Sequence, residues 1–325
     1  RQSAYPVSTS SSSDKPEIMV VVGATATGKT TVGVELALAL NGEIVNGDSR
    51  LFYRGMDVAT AKPTLDEMKG VPHHLIDILD PNEQYSLAGY LEHARSVIEE
   101  ISSRGKLPII VGGSGQYIWA ILEGWEVPEI EPNDKLRNEL EGQLAAKGVE
   151  TLAAYLTSIA PAIAADTDLL NPRRVIRAIE RVMSNSTDAS KNRRKAEEEP
   201  FNALIIGLSV ERPVLHKRVT DRLEVMLESG WKSEVESLVS AGYSANDRAM
   251  SGIGYRQMMA HLNGEFDLDE AVRKTAVATN RLIRHQNNWF KQADTRINWF
   301  DMTVDSPAIT KLIISSSEAW HAKSR

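Results

Sequence analysis

The sequence predicts an α/β protein: a parallel sheet flanked by helices and interrupted by an inserted helical domain. Three observations lead there. Short continuous apolar runs, the mark of strands buried on both faces, alternate with helix-period segments on either side of a middle stretch. Within that stretch, between Gly124 and Phe201, the strand runs vanish and helical segments take over. Finally, residues 23 to 30 read GATATGKT, a glycine-rich turn that joins an apolar run to a helical pattern.

Taken in order, Ile18 to Val22 is a buried strand, and the helix after the glycine turn stops at Asn41-Gly42, a cap for a chain turning back. Glu43 to Asn46 is a second strand ending at Gly47-Asp48-Ser49. His74 to Leu79, Leu107 to Val111 and Asn202 to Val210 are further strands, separated by helical segments such as Ala88 to Ser102. Such alternation implies a doubly wound parallel sheet with ligands at the carboxyl ends of its strands. Asp134 to Lys147 and Pro172 to Met183 are helices of the insert, bounded by EVPEIEPN and by the polar SNSTDASKNRRKAEEEP. The expected division is a disordered Ser-rich tail over 1–16, a core from 17–124 and 201–325, and an inserted helical domain over 125–200.

The bulk composition limits the function classes. At 325 residues, with 42% hydrophobic and 25% charged residues, the chain suits a soluble protein with one large core and an appended unit. No apolar stretch approaches membrane-spanning length. A net charge of −7 excludes a surface that is basic everywhere, so any nucleic-acid contact rests on local patches. Cysteine is absent, which rules out disulfides and thiolate metal sites and suits a reducing compartment. The Ser-rich start has no apolar core of a secretory signal; a cytoplasmic location is expected, with a remnant of organellar import left open.

The glycine turn carries the clearest chemistry. Gly23, Ala24, Thr25, Ala26, Thr27, Gly28, Lys29 and Thr30 match G-x-x-x-x-G-K-[ST] between a strand and a helix, so the sheet is of the P-loop NTPase-like kind. Backbone amides close around phosphate oxygens, the helix N-terminus adds positive potential, Lys29 supplies a cation and the Thr30 hydroxyl can ligate Mg2+. Asp77 or Asp80 could serve as the metal-holding aspartate of a kinase or hydrolase, or stand as solvated strand-end carboxylates. Asp48 follows the second strand on the same edge as the P-loop. Its carboxylate can either reach a substrate lying across the phosphates or cap the next segment. Arg222, on pattern alone, is one more charge on an amphipathic helix. The adjacent His73 and His74 invite a metal reading but lack an evident third ligand.

Several segments together resemble a family. GDSRLFYRGMDVATAKPT from Gly47, VPHHLIDILDPNEQYS from Val71, VGGSGQYIWAILEG from Val111, NPRRVIRAIE from Asn171 and SGIGYRQMMAHLNGE from Ser251 follow the motif order of bacterial-type tRNA dimethylallyltransferases, also called tRNA isopentenyltransferases. The resemblance runs from about Ile18 to Asp301. It implies transfer of a dimethylallyl group from dimethylallyl diphosphate to the exocyclic N6 amine of the adenine 3′-adjacent to the anticodon. The P-loop would then hold a leaving diphosphate through Lys29 and Thr30 with Mg2+, and ATP would not be consumed. By the same resemblance Asp48 is the general base and Arg222 acts on the diphosphate. Ser49, Arg50 and Leu51 would contact substrate or tRNA, and the second glycine loop, with Ser114, Gly115 and Tyr117, would lie near substrate. Without the resemblance, that loop reads equally as a turn needed for close packing.

Two basic runs point to RNA. Asn171 to Lys195 holds eight Arg or Lys, among them Arg173, Arg174, Arg177 and the Lys191 to Lys195 cluster, against two acids. Val272 to Lys291 has five and no acid, with Arg281, Arg284 and Asn288 on one helical face. One such run reads as a solvated face; two beside these motifs indicate RNA contact. The expected partner is a tRNA anticodon stem-loop, bound by a monomer. Departures from the family pattern are Leu51 in place of a common glutamine, Asn280 in place of a common basic residue, and no Thr-Gly-Lys-Pro-like turn after Glu180. The competing functions are an adenylate isopentenyltransferase acting on free nucleotide, a P-loop kinase of a small metabolite, and a non-catalytic RNA-binding module.

Overall fold

The computed structural model describes residues 15–127, 133–184, 195–304 and 307–323. The first half of the core runs β1 (Glu17–Gly23), α1 (Lys29–Ala39), β2 (Gly42–Asn46), α2 (Leu65–Met68), β3 (His73–His74), α3 (Leu87–Ser103), β4 (Leu107–Val111) and α4 (Gly115–Leu122). A helical stretch follows: α5 (Asp134–Lys147), α6 (Val149–Ile159), α7 (Pro161–Ala165) and α8 (Pro172–Met183). The core resumes with β5 (Asn202–Ser209), α9 (Arg212–Glu228), α10 (Trp231–Ser240), α11 (Tyr255–Leu262), α12 (Leu268–Trp289), β6 (Ile297–Asp301) and α13 (Pro307–Lys323).

Among the described residues the strands form one parallel sheet in the order β3-β2-β4-β1-β5-β6. Ile18 to Val22 at its centre are fully buried, as the unbroken apolar run requires of a strand covered on both faces. On one face Met19, Val21, Ile44, Ile109 and Ile206 pack against Val32 and Leu36 of α1 and Ile313 of α13. Parallel pairing has a direct consequence for function. The loops after β1, β2 and β4 leave by the same edge, bringing the P-loop, Asp48 and the 112–114 loop together.

The third strand is shorter than the expected His74 to Leu79. It ends at His74 because Leu75 and Asp77 take positive φ, 61° and 56°, which breaks the extended backbone. β6, a strand for which the sequence gives no expectation, extends the other edge beside β5.

The chain forms two compact units, 1–124 with 196–325, and 125–195. The second boundary precedes the expected residue 200, since the Ala196 N–H donates to the Glu123 carbonyl at 3.2 Å and ties that segment to the core. The smaller unit has its own apolar centre of Leu140, Leu152, Leu156, Val175 and Ile179. Two of its helices, α5 and α8, start on side-chain caps: Asn133 accepts from the Leu136 N–H, and Asn171, followed by Pro172, accepts from that of Arg174. Within it Arg137 makes a two-pronged pair with the buried Glu180, at 2.8 and 2.9 Å.

Candidate active site

The P-loop forms as its glycines dictate. Gly28 sits at φ 92° as the N-cap of α1, a left-handed conformation that favours glycine, and the space beside its Cα is open. The Thr27 hydroxyl donates to the Ala24 carbonyl at 2.9 Å and Lys29 Nζ donates to the same oxygen at 2.7 Å, closing the loop on itself. From the far end of the chain Gln286 of α12, itself buried, accepts the Thr25 N–H at 2.8 Å.

Beside the loop lies a cavity of about 360 Å3, within the range of small-ligand sites. Thr25, Ala26, Gly28, Lys29 and Thr30 line one side, and Asp48, Arg50 and Arg222 face it from other elements. The rest of the wall is largely apolar, with Ile44 and Ile76 from the β2–β3 side, Leu223 and Met226 from α9, and Leu282 from α12. Cationic groups and hydrocarbon on the wall of one cavity fit a ligand that joins a phosphate head to a short apolar tail.

The electrostatics follow from burial. Lys29 is pulled down to about 8 by desolvation, with the Asp48 carboxylate partly offsetting and Arg222 adding to the fall. Arg50 and Arg222 are likewise lowered from their ordinary values by burial, and Asp48 counters both. Three cations therefore surround one carboxylate, an excess of positive charge suited to a multiply charged anion. Arg222 Nη2 also donates to the Thr60 carbonyl at 3.3 Å, and Arg50 Nη1 to the Ile253 carbonyl at 3.2 Å.

Asp48 caps the following segment and also lines the cavity. Its Oδ1 accepts the Arg50 N–H at 3.0 Å, a capping turn. Asn46 steadies it from both sides, accepting the Asp48 N–H at 2.8 Å and donating to the Asp48 carbonyl at 3.0 Å.

Other candidates fall elsewhere. Leu51 lines the cavity, whereas Ser49, Ser114, Gly115 and Tyr117 do not. Ser114 Oγ accepts the Ser49 N–H at 3.0 Å, joining the two loops. Gly115 answers a packing need, because a Cβ there would lie 2.3 Å from the Trp289 side chain. Tyr117 stacks on the buried Tyr90 with ring centroids 4.6 Å apart. Asp77 pairs with Lys62 and Asp80 with Arg54 at 2.8 Å, and neither lines the cavity, so neither serves as a metal-holding aspartate there.

The histidine pair is split between two tasks. His74 Nε2 pairs with Glu43 at 2.7 Å, and His73 Nδ1 contacts the Val71 carbonyl at 2.8 Å. No group of three His, Cys, Asp or Glu able to hold a metal occurs among the described residues. Arg281 and Arg284 are exposed on α12. In the smaller unit Arg173, Arg174 and Arg177 are exposed on α8, Arg177 3.4 Å from Glu180. Of the Lys191 to Lys195 cluster, only Lys195 lies among the described residues. The structure adds two residues that the motifs did not suggest, Gln286 and Glu234, whose partners lie far away in sequence.

This fold defines an α/β protein with a P-loop, and its cavity gathers Lys29, Arg50 and Arg222 around Asp48. The family model described as IPP transferase matches residues 51–293. The chain is 41% identical over 286 residues to a tRNA dimethylallyltransferase of Thermomicrobium roseum, covering 88% of this chain and 86% of that protein. It is 40% identical over 298 residues to one from Corynebacterium diphtheriae, covering 91% and 98%. Among solved structures it is similar to the full-length tRNA isopentenylpyrophosphate transferase of Bacillus halodurans, with a TM-score of 0.71, 37% identity and coverage of 95% and 98%. It is also similar to a eukaryotic dimethylallyltransferase acting on tRNA, with a TM-score of 0.80, 25% identity and coverage of 95% and 80%. The chain belongs to the IPP transferase family.

Proposed function

We propose that the protein transfers a dimethylallyl group from dimethylallyl diphosphate to the exocyclic N6 amine of the adenine 3′-adjacent to the anticodon in tRNA. The observation that carries this reading is the cavity itself, where Lys29, Arg50 and Arg222 meet an apolar wall and Asp48. In the reaction the bond from the allylic carbon to the diphosphate oxygen breaks, and its electron pair leaves with the diphosphate. A new bond forms from N6 to that carbon, and the N6 proton passes to Asp48. Lys29 and Arg222 stabilise the charge that grows on the departing diphosphate, and Asp48 relieves the ammonium that forms.

A Mg2+ ion fits this donor set as a passenger of the diphosphate. The Thr30 hydroxyl on the cavity wall would help hold such an ion beside the diphosphate. Such an ion would supply further neutralisation of the leaving group.

The relatives are named for tRNA, which supports tRNA over free adenylate as the acceptor. The exposed arginines of α8 and α12 and Lys195 are assigned to the anticodon stem-loop, and the helical unit to tRNA binding. Action as a monomer in the cytoplasm belongs to the same reading; among the described residues no helix is long and apolar enough to cross a membrane. A kinase is disfavoured by the engagement of Asp77 and Asp80 in ion pairs away from the cavity.

The test is release of pyrophosphate from dimethylallyl diphosphate. Release that depends on tRNA supports the proposal. Equal release with AMP in place of tRNA favours the adenylate reading, and phosphoryl transfer from ATP favours the kinase.

A further inference from the structure

Arg222 reaches the cavity from α9, and a long arginine needs a fixed partner to hold its guanidinium in one place. That partner is a backbone carbonyl, Thr60, in a turn whose residues Ala59, Thr60 and Ala61 line the cavity. The turn closes on itself through the Ala61 N–H to the Val58 carbonyl at 3.0 Å and the Lys62 N–H to the Asp57 carbonyl at 2.9 Å. Its leading amides have no such partner within the turn and are satisfied from outside.

Glu234 of α10 satisfies them. One carboxylate oxygen accepts the Asp57 N–H at 2.8 Å and the Val58 N–H at 2.7 Å. The other accepts the Ala59 N–H at 3.3 Å and the hydroxyl of the buried Tyr255 at 2.6 Å. Charge-assisted bonds of this kind are stronger than neutral ones, and four of them converge on one side chain. Lys62 ties the same turn to the body of the protein, with Nζ donating to the Tyr53 carbonyl at 2.8 Å and to Asp57 at 2.6 Å.

We propose that Glu234 is a positioning residue for the diphosphate end of the cavity: it fixes the 57–61 turn, and the turn's Thr60 carbonyl aims Arg222. The inference rests on the diphosphate reading of the cavity. Glu234 is not among the residues lining the cavity, so its effect on ligand runs through the turn and Arg222.

The test is calorimetric titration with inorganic pyrophosphate of the full chain and of Glu234→Ala, Glu234→Gln, Arg222→Ala and the Glu234→Ala/Arg222→Ala double variant. Thermal melts are recorded on each. Glu234→Ala should weaken pyrophosphate about tenfold, yet add less than about twofold once Arg222 is gone, the signature of two residues acting as one unit. Glu234→Gln keeps the shape and one acceptor oxygen and should fall between parent and Glu234→Ala. Should the alanine variant not fold, Glu234→Gln takes its place in the cycle. Losses that multiply fully in the double variant, or unchanged affinity in a folded Glu234 variant, overturn the proposal. Collapse of both Glu234 variants does so as well, by making the residue a folding element only. If Arg222→Ala weakens pyrophosphate while Glu234 variants do not, the diphosphate reading stands and only this inference falls. No binding by the parent chain removes both.

Discussion

Gln286 of α12 accepts two hydrogen bonds from Thr25 of the P-loop, the N–H at 2.8 Å and the hydroxyl at 3.2 Å. The two residues lie 261 positions apart, so a helix near the end of the chain fixes the first loop of the site. Removing the amide leaves the half-buried Thr25 N–H without its protein partner, at a cost of about 1 kcal/mol. Gln286→Ala is expected to loosen the loop and raise the KM for dimethylallyl diphosphate several-fold. Steady-state kinetics with tRNA held in excess check this.

Asp48→Asn should abolish turnover while leaving pyrophosphate binding nearly intact, because the amide keeps the capping oxygen and loses the base. Loss of a positioned general base costs about 100- to 10,000-fold in rate. Turnover close to the parent's would reduce Asp48 to its capping bond with Arg50.

Lys29→Ala and Arg222→Ala should each weaken donor binding and slow transfer. Both act on one leaving group in one cavity, so their effects should not add. Strict additivity in the double variant would place Arg222 away from the diphosphate.

The depressed Lys29 gives a pH signature. Its charge is lost as pH rises through about 8, so the cation's contribution to pyrophosphate affinity should fall there. Lys29→Arg keeps its charge and should lose that part of the fall. The sign for stability is opposite. Between about 8 in the folded state and the ordinary 10.5, the unfolded chain binds the extra proton, so Lys29 makes the fold more stable as pH rises. Paired melts of the parent and Lys29→Met across that range measure it.

Much of this architecture is legible in the sequence because its signals are local. The P-loop pattern and the unbroken run Ile18 to Val22 announce a strand, turn and helix, and the parallel order puts Asp48 on the same edge. Signals that depend on distant contacts are not legible. Gln286 and Glu234 look like ordinary helix residues until the fold brings them to Thr25 and to the 57–59 turn. The short β3 was hidden for a different reason: HLIDIL has a strand's composition, and only the positive φ of Leu75 and Asp77 ends it. In the second glycine loop the packing role is the visible one, since Gly115 makes room for Trp289.

Replacing residues 125–195 by a short Gly-Ser linker should abolish modification of tRNA while sparing affinity for dimethylallyl diphosphate. The target base must be drawn out of its loop at a cost of about a few kcal/mol, which contacts to the surrounding RNA offset. Phosphate contacts also make tRNA binding by the parent fall steeply with salt. The thermal transition of the trimmed chain establishes first that the sheet unit folds. Undiminished modification by that chain would remove the helical unit from tRNA binding.

Prenyl transfer to one adenosine of tRNA is read out by mass analysis of the nucleosides. Unmodified tRNA is incubated with the protein and dimethylallyl diphosphate, digested, and its adenosine weighed against a reaction with Asp48→Asn. The expected product is an adenosine heavier by one dimethylallyl group, mapped to the position 3′ of the anticodon and absent with the variant. No mass gain on any adenosine with active, folded protein would contradict it.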